Sequence, residues 1–347
     1  MTHNQRTLHI DPEQQRIAGL AMSGRLGEAI AALEKQARAR PDDAAVLSNL
    51  GQALHSAGRQ AEAMLVFQRA IGIDPRYALA HNNLGIAYVA GGRLQEARHA
   101  FETALDLAPQ FAEARLNLAQ LLGQLRQPAE AEESYRLYLR LRPNDAHALF
   151  NLSVLQLARG LEQQAAVSLA QVLRADPQHD GALINLGAIL VKRGQPDEAV
   201  RLIEAVLARE PHHTLARYHL ALAHVARRDL PAAAAALEQV LEDDPRALPA
   251  LNNLALVYRE SGDPTRAAAL LESGLAGAPE STMLLFNLGV EAGQMLFVWL
   301  IMLLERAFRT LEIRWPHWVE AVPAYTVGTL GAYWTLQRTV LLFGEWR

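Results

Sequence analysis

Residues 82–109 read NNLGIAYVAGGRLQEARHAFETALDLAP. Two amphipathic runs of about 14 residues each flank a short turn at Gly91 and Gly92, and Pro109 closes the stretch. The pattern recurs outward in both directions. Pro41, Pro75, Pro109, Pro143, Pro177, Pro211, Pro245 and Pro279 are each 34 residues apart, and turn glycines recur at Gly58, Gly92, Gly160, Gly194 and Gly262. Seven identical intervals establish an internal repeat, which decides the fold before any single element is considered.

The spacing has a direct physical reading. Leu84, Gly85 and Tyr88 share one face of a helix with period 3.6. Gly85, like Gly51 and Gly187 at the same place, removes side-chain bulk so that a partner helix can approach. Ala63, Ala97, Ala199 and Ala267 do the same from the second helix, while Phe67, Phe101, Tyr135 and Ile203 fill the space between. Proline then ends the second helix, because it lacks an amide donor and its ring clashes with the preceding turn.

This pattern resembles the tetratricopeptide repeat family over Ile10 to Ser281, in eight units. The first unit, Ile10 to Asp43, keeps Gly24, Ala29 and Pro41 but carries Ile17 where the close-approach glycine is expected. The resemblance implies an all-α fold, a right-handed superhelix of antiparallel helix pairs, each burying its apolar face on its neighbours. The domain reading is a tail at 1–9, repeats at 10–283 and a different segment at 284–347.

In such a stack the first helix of each pair lines the inner groove. The position two residues before the close-approach glycine is Asn49, Asn83, Asn117, Asn151, Asn185, His219, Asn253 and Asn287 in successive units. Asparagine is a middling helix former at best, whereas its carboxamide offers two donors and an acceptor, which suits the backbone of an extended peptide. The ladder resembles that of the superhelical repeats of O-linked N-acetylglucosamine transferases, which implies peptide-backbone binding. The alternative is a residue simply copied with each duplicated repeat. One residue earlier stand Ser48, Asn82, Leu116, Phe150, Ile184, Tyr218 and Asn252. Phe150 and Tyr218 are candidate anchors of the kind that dominate interfaces, or else contacts to an adjacent helix. No basic residue stands at these positions, so the clamp by which some members hold a C-terminal carboxylate is missing.

After Asn287-Leu288-Gly289 the repeat phase fails. All five tryptophans, and 11 of the 21 aromatic residues, fall between Phe286 and Arg347. Leu284 to Leu304 carries one acid, Glu291, and Val322 to Phe343 one base, Arg338. At about 1.5 Å per residue each is long enough to cross the hydrocarbon layer, and the Arg-rich, Trp-flanked loop between them suits an interface. A hydrophobic two-helix membrane hairpin is the expectation, with a buried cap on the superhelix as the alternative. FNLGVEAGQMLFVWLI and GAYWTLQR resemble the C-terminal end of the HupE/UreJ family of bacterial membrane proteins, linked to nickel or cobalt handling. The further spans of that family, with their His and Asp residues, are missing, and FNLG at 286–289 fits both families, which marks a fusion point. The resemblance implies a bacterial inner membrane and lipid as a partner. Arg306, Arg309 and Arg314 against Glu305 and Glu312 favour a cytoplasmic loop, yet Met1 to Gln15 shows no signal peptide, so the repeats are placed in the cytoplasm.

The remaining chemistry is mostly exclusion. With 33 Lys+Arg against 37 Asp+Glu the chain is slightly acidic, which argues against nucleic acid. With no cysteine, thiolate metal sites and cysteine nucleophiles are excluded. No HExxH, Walker, GxGxxG or GxSxG pattern is present. His219 and His224 are five apart and share no ligand face, so neither metal nor cofactor is expected. The reading is a non-enzymatic scaffold that binds a protein segment. Accessory transport duty and a soluble adaptor are the other readings.

Overall fold

The computed structural model describes residues 12–277, and among them the chain forms sixteen α-helices joined by turns. They come in pairs, beginning with α1 (Pro12–Met22) and α2 (Leu26–Ala39), then α3 (Ala44–Ser56) and α4 (Gln60–Ile73). Next come α5 (Ala78–Ala90) and α6 (Leu94–Leu107), α7 (Ala112–Gln124) and α8 (Pro128–Leu141), and α9 (Ala146–Ala158) and α10 (Glu162–Ala175). The last three pairs are α11 (Asp180–Lys192) and α12 (Pro196–Leu207), α13 (Thr214–Ala226) and α14 (Leu230–Asp243), and α15 (Leu248–Glu260) and α16 (Pro264–Gly277). The segment read as a membrane hairpin, 284–347, and Asn287 lie outside the described residues, as does the 283/284 boundary.

Local chemistry sets the pair. Each turn within a pair holds one residue in the left-handed region, at 34-residue intervals: Gly24, Gly58, Gly92, Arg126, Gly160, Gly194, Arg228 and Gly262. The amide after it reaches back to close the helix, as Arg59 N–H does to Leu54 O at 2.9 Å and Asp263 N–H to Tyr258 O at 2.9 Å. Only glycine adopts this conformation without steric cost, and two repeats place arginine there. At the other end of the pair, Pro41, Pro75, Pro109, Pro143, Pro177 and Pro245 each follow the C-cap residue directly. Asp43 and Asp145 then cap the next helices through their carboxylates, and His179 and His213 through a ring nitrogen.

The helices form two compact units, residues 12–206 and 207–277. In the first, successive helices from α1 to α11 pack on one another, and α3 also touches α5. In the second, α13, α14, α15 and α16 pack in succession. The core follows the size matching that the repeat predicts. Phe67 and Phe101, 1% exposed, lie directly over Gly51 and Gly85, and Ile203 lies over Gly187. Where alanine or serine replaces that glycine at Ser153, Ala221 and Ala255, the large partner is a buried leucine, at Leu169, Leu237 and Leu271, whereas Ala119 keeps an aromatic partner, Tyr135. In the worn first repeat Ile17 and Leu33 are both buried, two large side chains where the other repeats pair a small one with a large one.

Candidate functional site

The first helices carry the ladder at one register, and its members differ in what they touch. Asn49 is exposed and Asn83 is buried, while Asn117, Asn151, Asn185 and Asn253 are half-buried. Three of them reach back 35 residues to the preceding repeat. Asn83 Nδ2 donates to Ser48 Oγ at 3.3 Å, Asn117 Nδ2 to Asn82 Oδ1 at 2.9 Å, and Asn253 Nδ2 to the Tyr218 hydroxyl at 2.9 Å. Asn82 Nδ2 in turn donates to Asn83 Oδ1 at 3.3 Å, so Ser48, Asn83, Asn82 and Asn117 form one polar chain across α3, α5 and α7. Ser48, Asn82 and Asn83 are buried, so their bonds satisfy polar groups that would otherwise be shut from water.

The acceptor stands one residue before the ladder position of the repeat before. In the central repeats that place is taken by Leu116, Phe150 and Ile184, which accept nothing. Asn151 accordingly turns to His147 Nδ1 at 3.4 Å and to Tyr135, whose hydroxyl burial pushes up to about 12. Among the described residues Asn49 and Asn185 hold no hydrogen bond. The carboxamides therefore divide into a set that fastens adjacent repeats and a set with spare donors.

Both candidate anchors contact the following repeat. The Phe150 ring centroid lies 4.6 Å from that of His179. Its Cζ stands 2.7 Å from where a Cβ on Gly181 would be, so α11 admits the ring because residue 181 has no side chain. Tyr218 accepts from Asn253 and meets the His219 ring edge-on at 5.5 Å. His219 has a buried Nδ1 without a partner among the described residues, and burial holds its imidazole below the ordinary histidine value.

Apolar side chains beside the ladder remain uncovered. Leu79 is 39% exposed, Val154 42% and Leu215 53%. Leu79 and Leu215 lie four residues before a ladder position, and Val154 lies three after one, so all belong to the ladder's own helical face. Leu79 and Leu215 were not among the residues singled out from the sequence. The same i, i+4 spacing, counted backward from Asn83 and His219, is the signal that identifies them.

Nearby, His213 caps α13, and His212 contacts Arg217 Nη2 at 3.1 Å. Among the described residues no group of three His, Asp or Glu is placed to hold a metal ion, and no helix is long and apolar enough to cross a membrane.

The tetratricopeptide repeat family model matches residues 82–146, 116–180, 184–247 and 219–282, more than half of the chain, and a second model of the repeat matches 51–90. The chain belongs to the tetratricopeptide repeat family. The tetratricopeptide repeat is a protein-interaction scaffold, and proteins built from it bind other proteins or peptides. A tetratricopeptide repeat protein from Parabacteroides merdae is similar in structure, with a TM-score of 0.54 at 17% identity over 72% of this chain and 99% of that one. Cut9–Hcn1 of the APC/C is similar with a TM-score of 0.51 at 20% identity, over 80% of this chain and 55% of that one. PilF from Pseudomonas aeruginosa has a TM-score of 0.50 at 19% identity, over 60% and 96%. At these identities the likeness is one of fold. No curated protein matches the chain. The HupE / UreJ protein model matches residues 267–338, so its match overlaps the final repeat match across 267–282.

Proposed function

We propose that this tetratricopeptide repeat protein is a non-enzymatic scaffold whose first helices bind an extended segment of another protein. The supporting observation is the uncovered pair Leu79 and Val154 in the first unit, four and three residues from Asn83 and Asn151. Apolar side chains left exposed on the same face as spare carboxamides suit a partner that brings both a backbone and side chains. Asn49, Asn151 and Asn185 supply donors and acceptors to that backbone, and Asn83, Asn117 and Asn253 hold the repeats in register around it. Phe150 shapes the groove wall in the first unit, and Tyr218 and His219 shape that of the second.

The test is crosslinking through a photoreactive residue at Val154 in the full-length protein, followed by affinity measurement with the captured partner. Replacing Asn117, Asn151 and Asn185 together with Ala should weaken that complex. Asn117→Ala also removes the bond to Asn82, so helicity and melting are followed in parallel. Unchanged affinity in a folded triple variant refutes the ladder's part in binding.

A second element of the proposal is a membrane tether at 284–347, supported by the HupE / UreJ match. The repeats then work from the cytoplasmic face of a bacterial inner membrane. Release of the full-length protein by carbonate extraction would refute the tether. The same match favours an accessory role beside other membrane subunits in metal uptake, which unaltered nickel and cobalt uptake in a deletion strain would remove.

A further inference from the structure

At two places in residues 12–206 adjacent repeats leave a groove, bounded by two second helices and floored by the first helix between them. The groove recurs because the repeat recurs, but its chemistry does not. Between the second and third repeats it is lined by Gln68, Leu84, Gln95, Glu96, His99 and Thr103, and is neutral to acidic. Between the fourth and fifth it is a cavity of about 780 Å³ in which Arg136, Arg140 and Arg174 surround Leu139, Leu149 and Leu152.

Arg140 and Arg174 stand 34 residues apart, so the repeat places them at equal height on α8 and α10, facing one groove. Their equivalents in neighbouring repeats are Gly72, Asp106, Ala208 and Glu242, which makes the pairing a property of this site alone. Arg136 lends one edge of its guanidinium to Glu132 and Gln164 and stays 54% exposed. Among the described residues Arg140 and Arg174 have neither an ion pair nor a hydrogen bond. The nearby Arg142 is by contrast 3.9 Å from Glu113. Leu149 and Leu152 are 3% and 5% exposed, so the apolar floor lies at the bottom of a depression.

We infer that this groove is a second docking site, separate from the row of first helices, for an acidic peptide segment that inserts one aliphatic side chain between flanking carboxylates. Charge complementarity selects the occupant. Guanidinium groups pair with carboxylates through charge-assisted, often bidentate hydrogen bonds, and three converge here on a chain whose net charge is −4. The recessed leucines distinguish a peptide from a lipid surface, since a flat array of headgroups cannot reach them whereas a single side chain can. The inference does not rest on the ladder's role.

The experiment uses purified full-length protein and a fluorescein-labelled peptide, Asp-Glu-Glu-Leu-Glu-Asp-Glu, followed by anisotropy. Saturable binding that weakens with salt is expected, with a loss of about tenfold or more in Arg140→Glu/Arg174→Glu. Replacing the central Leu of the peptide by Gly should also weaken binding, and the Asn117, Asn151 and Asn185 triple variant should bind as wild type does. If the double Glu variant loses helicity, Arg140→Gln/Arg174→Gln serves instead. Any of three results overturns the inference: no binding up to millimolar peptide, equal binding by the arginine variants, or indifference to the central Leu. Arginine-dependent capture of phosphatidylglycerol vesicles without peptide binding overturns it as well, by making the site a headgroup contact.

Discussion

Gly85→Ala tests whether the repeats are held at their spacing by matched volumes. A Cβ at residue 85 would lie 2.6 Å from Phe101 Cε1 and 2.7 Å from Cδ1, about 1 Å inside normal carbon contact. Phe101 is 1% exposed, so the ring has no solvent to move into. Overpacking of this kind costs about 1–3 kcal/mol, against which alanine returns about 1 kcal/mol of helix propensity. The expected net loss is about 1 kcal/mol. The decisive variant is the double, Gly85→Ala/Phe101→Leu. It recreates the alanine–leucine pairing of Ala221 with Leu237 and Ala255 with Leu271, so once Phe101→Leu is in place the new methyl should stabilise. That reversal corresponds to a coupling of about 2 kcal/mol. Urea unfolding of the four proteins of the cycle, with amide exchange read on α5 and α6, measures it, because a repeat array loses structure locally. Gly72→Ala, where nothing lies within 4 Å, is the control and should gain about 0.5–1 kcal/mol. Additive effects of Gly85→Ala and Phe101→Leu, or a Gly85→Ala protein more stable than wild type, would refute the reasoning.

Arg126 and Arg228 occupy left-handed positions that the other repeats give to glycine, with φ of 56° and 61°; Arg126→Gly and Arg228→Gly should each raise stability by about 0.5–1 kcal/mol in urea melts, and Gly92→Arg should lower it. The carboxylate of Glu132, 1% exposed, takes ion pairs from Arg159 and Arg136 and a hydrogen bond from Gln156. Glu132→Ala should cost about 2–3 kcal/mol, toward the low end of a broken buried network because both arginines keep access to water; chemical denaturation reads it. Burial lowers the His219 pKa in the folded state, so the unfolded chain binds the proton first as pH falls. The stability of α13–α16 should then be full above the ordinary histidine range, decline as pH drops through it, and level off below the folded value. Amide exchange as a function of pH shows this slope, which His219→Gln should flatten.

Periodicity alone carried the repeat length, the helix-ending prolines, the turn glycines and the glycine–aromatic pairing, because each depends on residues within one helix pair. The recurrence of Gly51, Gly85 and Gly187 at the same place in their repeats could be read as close approach without knowing any coordinates. The fates of the polar and aromatic side chains were decided only by stacking. Whether Asn83, Asn117 or Asn253 is spare or bonded depends on what stands 35 residues earlier, and for the identical residue type at Asn185 that residue is Phe150, which offers no acceptor. Phe150 itself looks like an exposed anchor until α11 brings Gly181 and His179 against it. Arg140 and Arg174 are ordinary surface residues on their own helices and become a site when α8 and α10 border one groove. A single helix face has a period that the chain writes out, whereas the meeting of two faces depends on side-chain direction across neighbouring repeats, which only the folded stack sets.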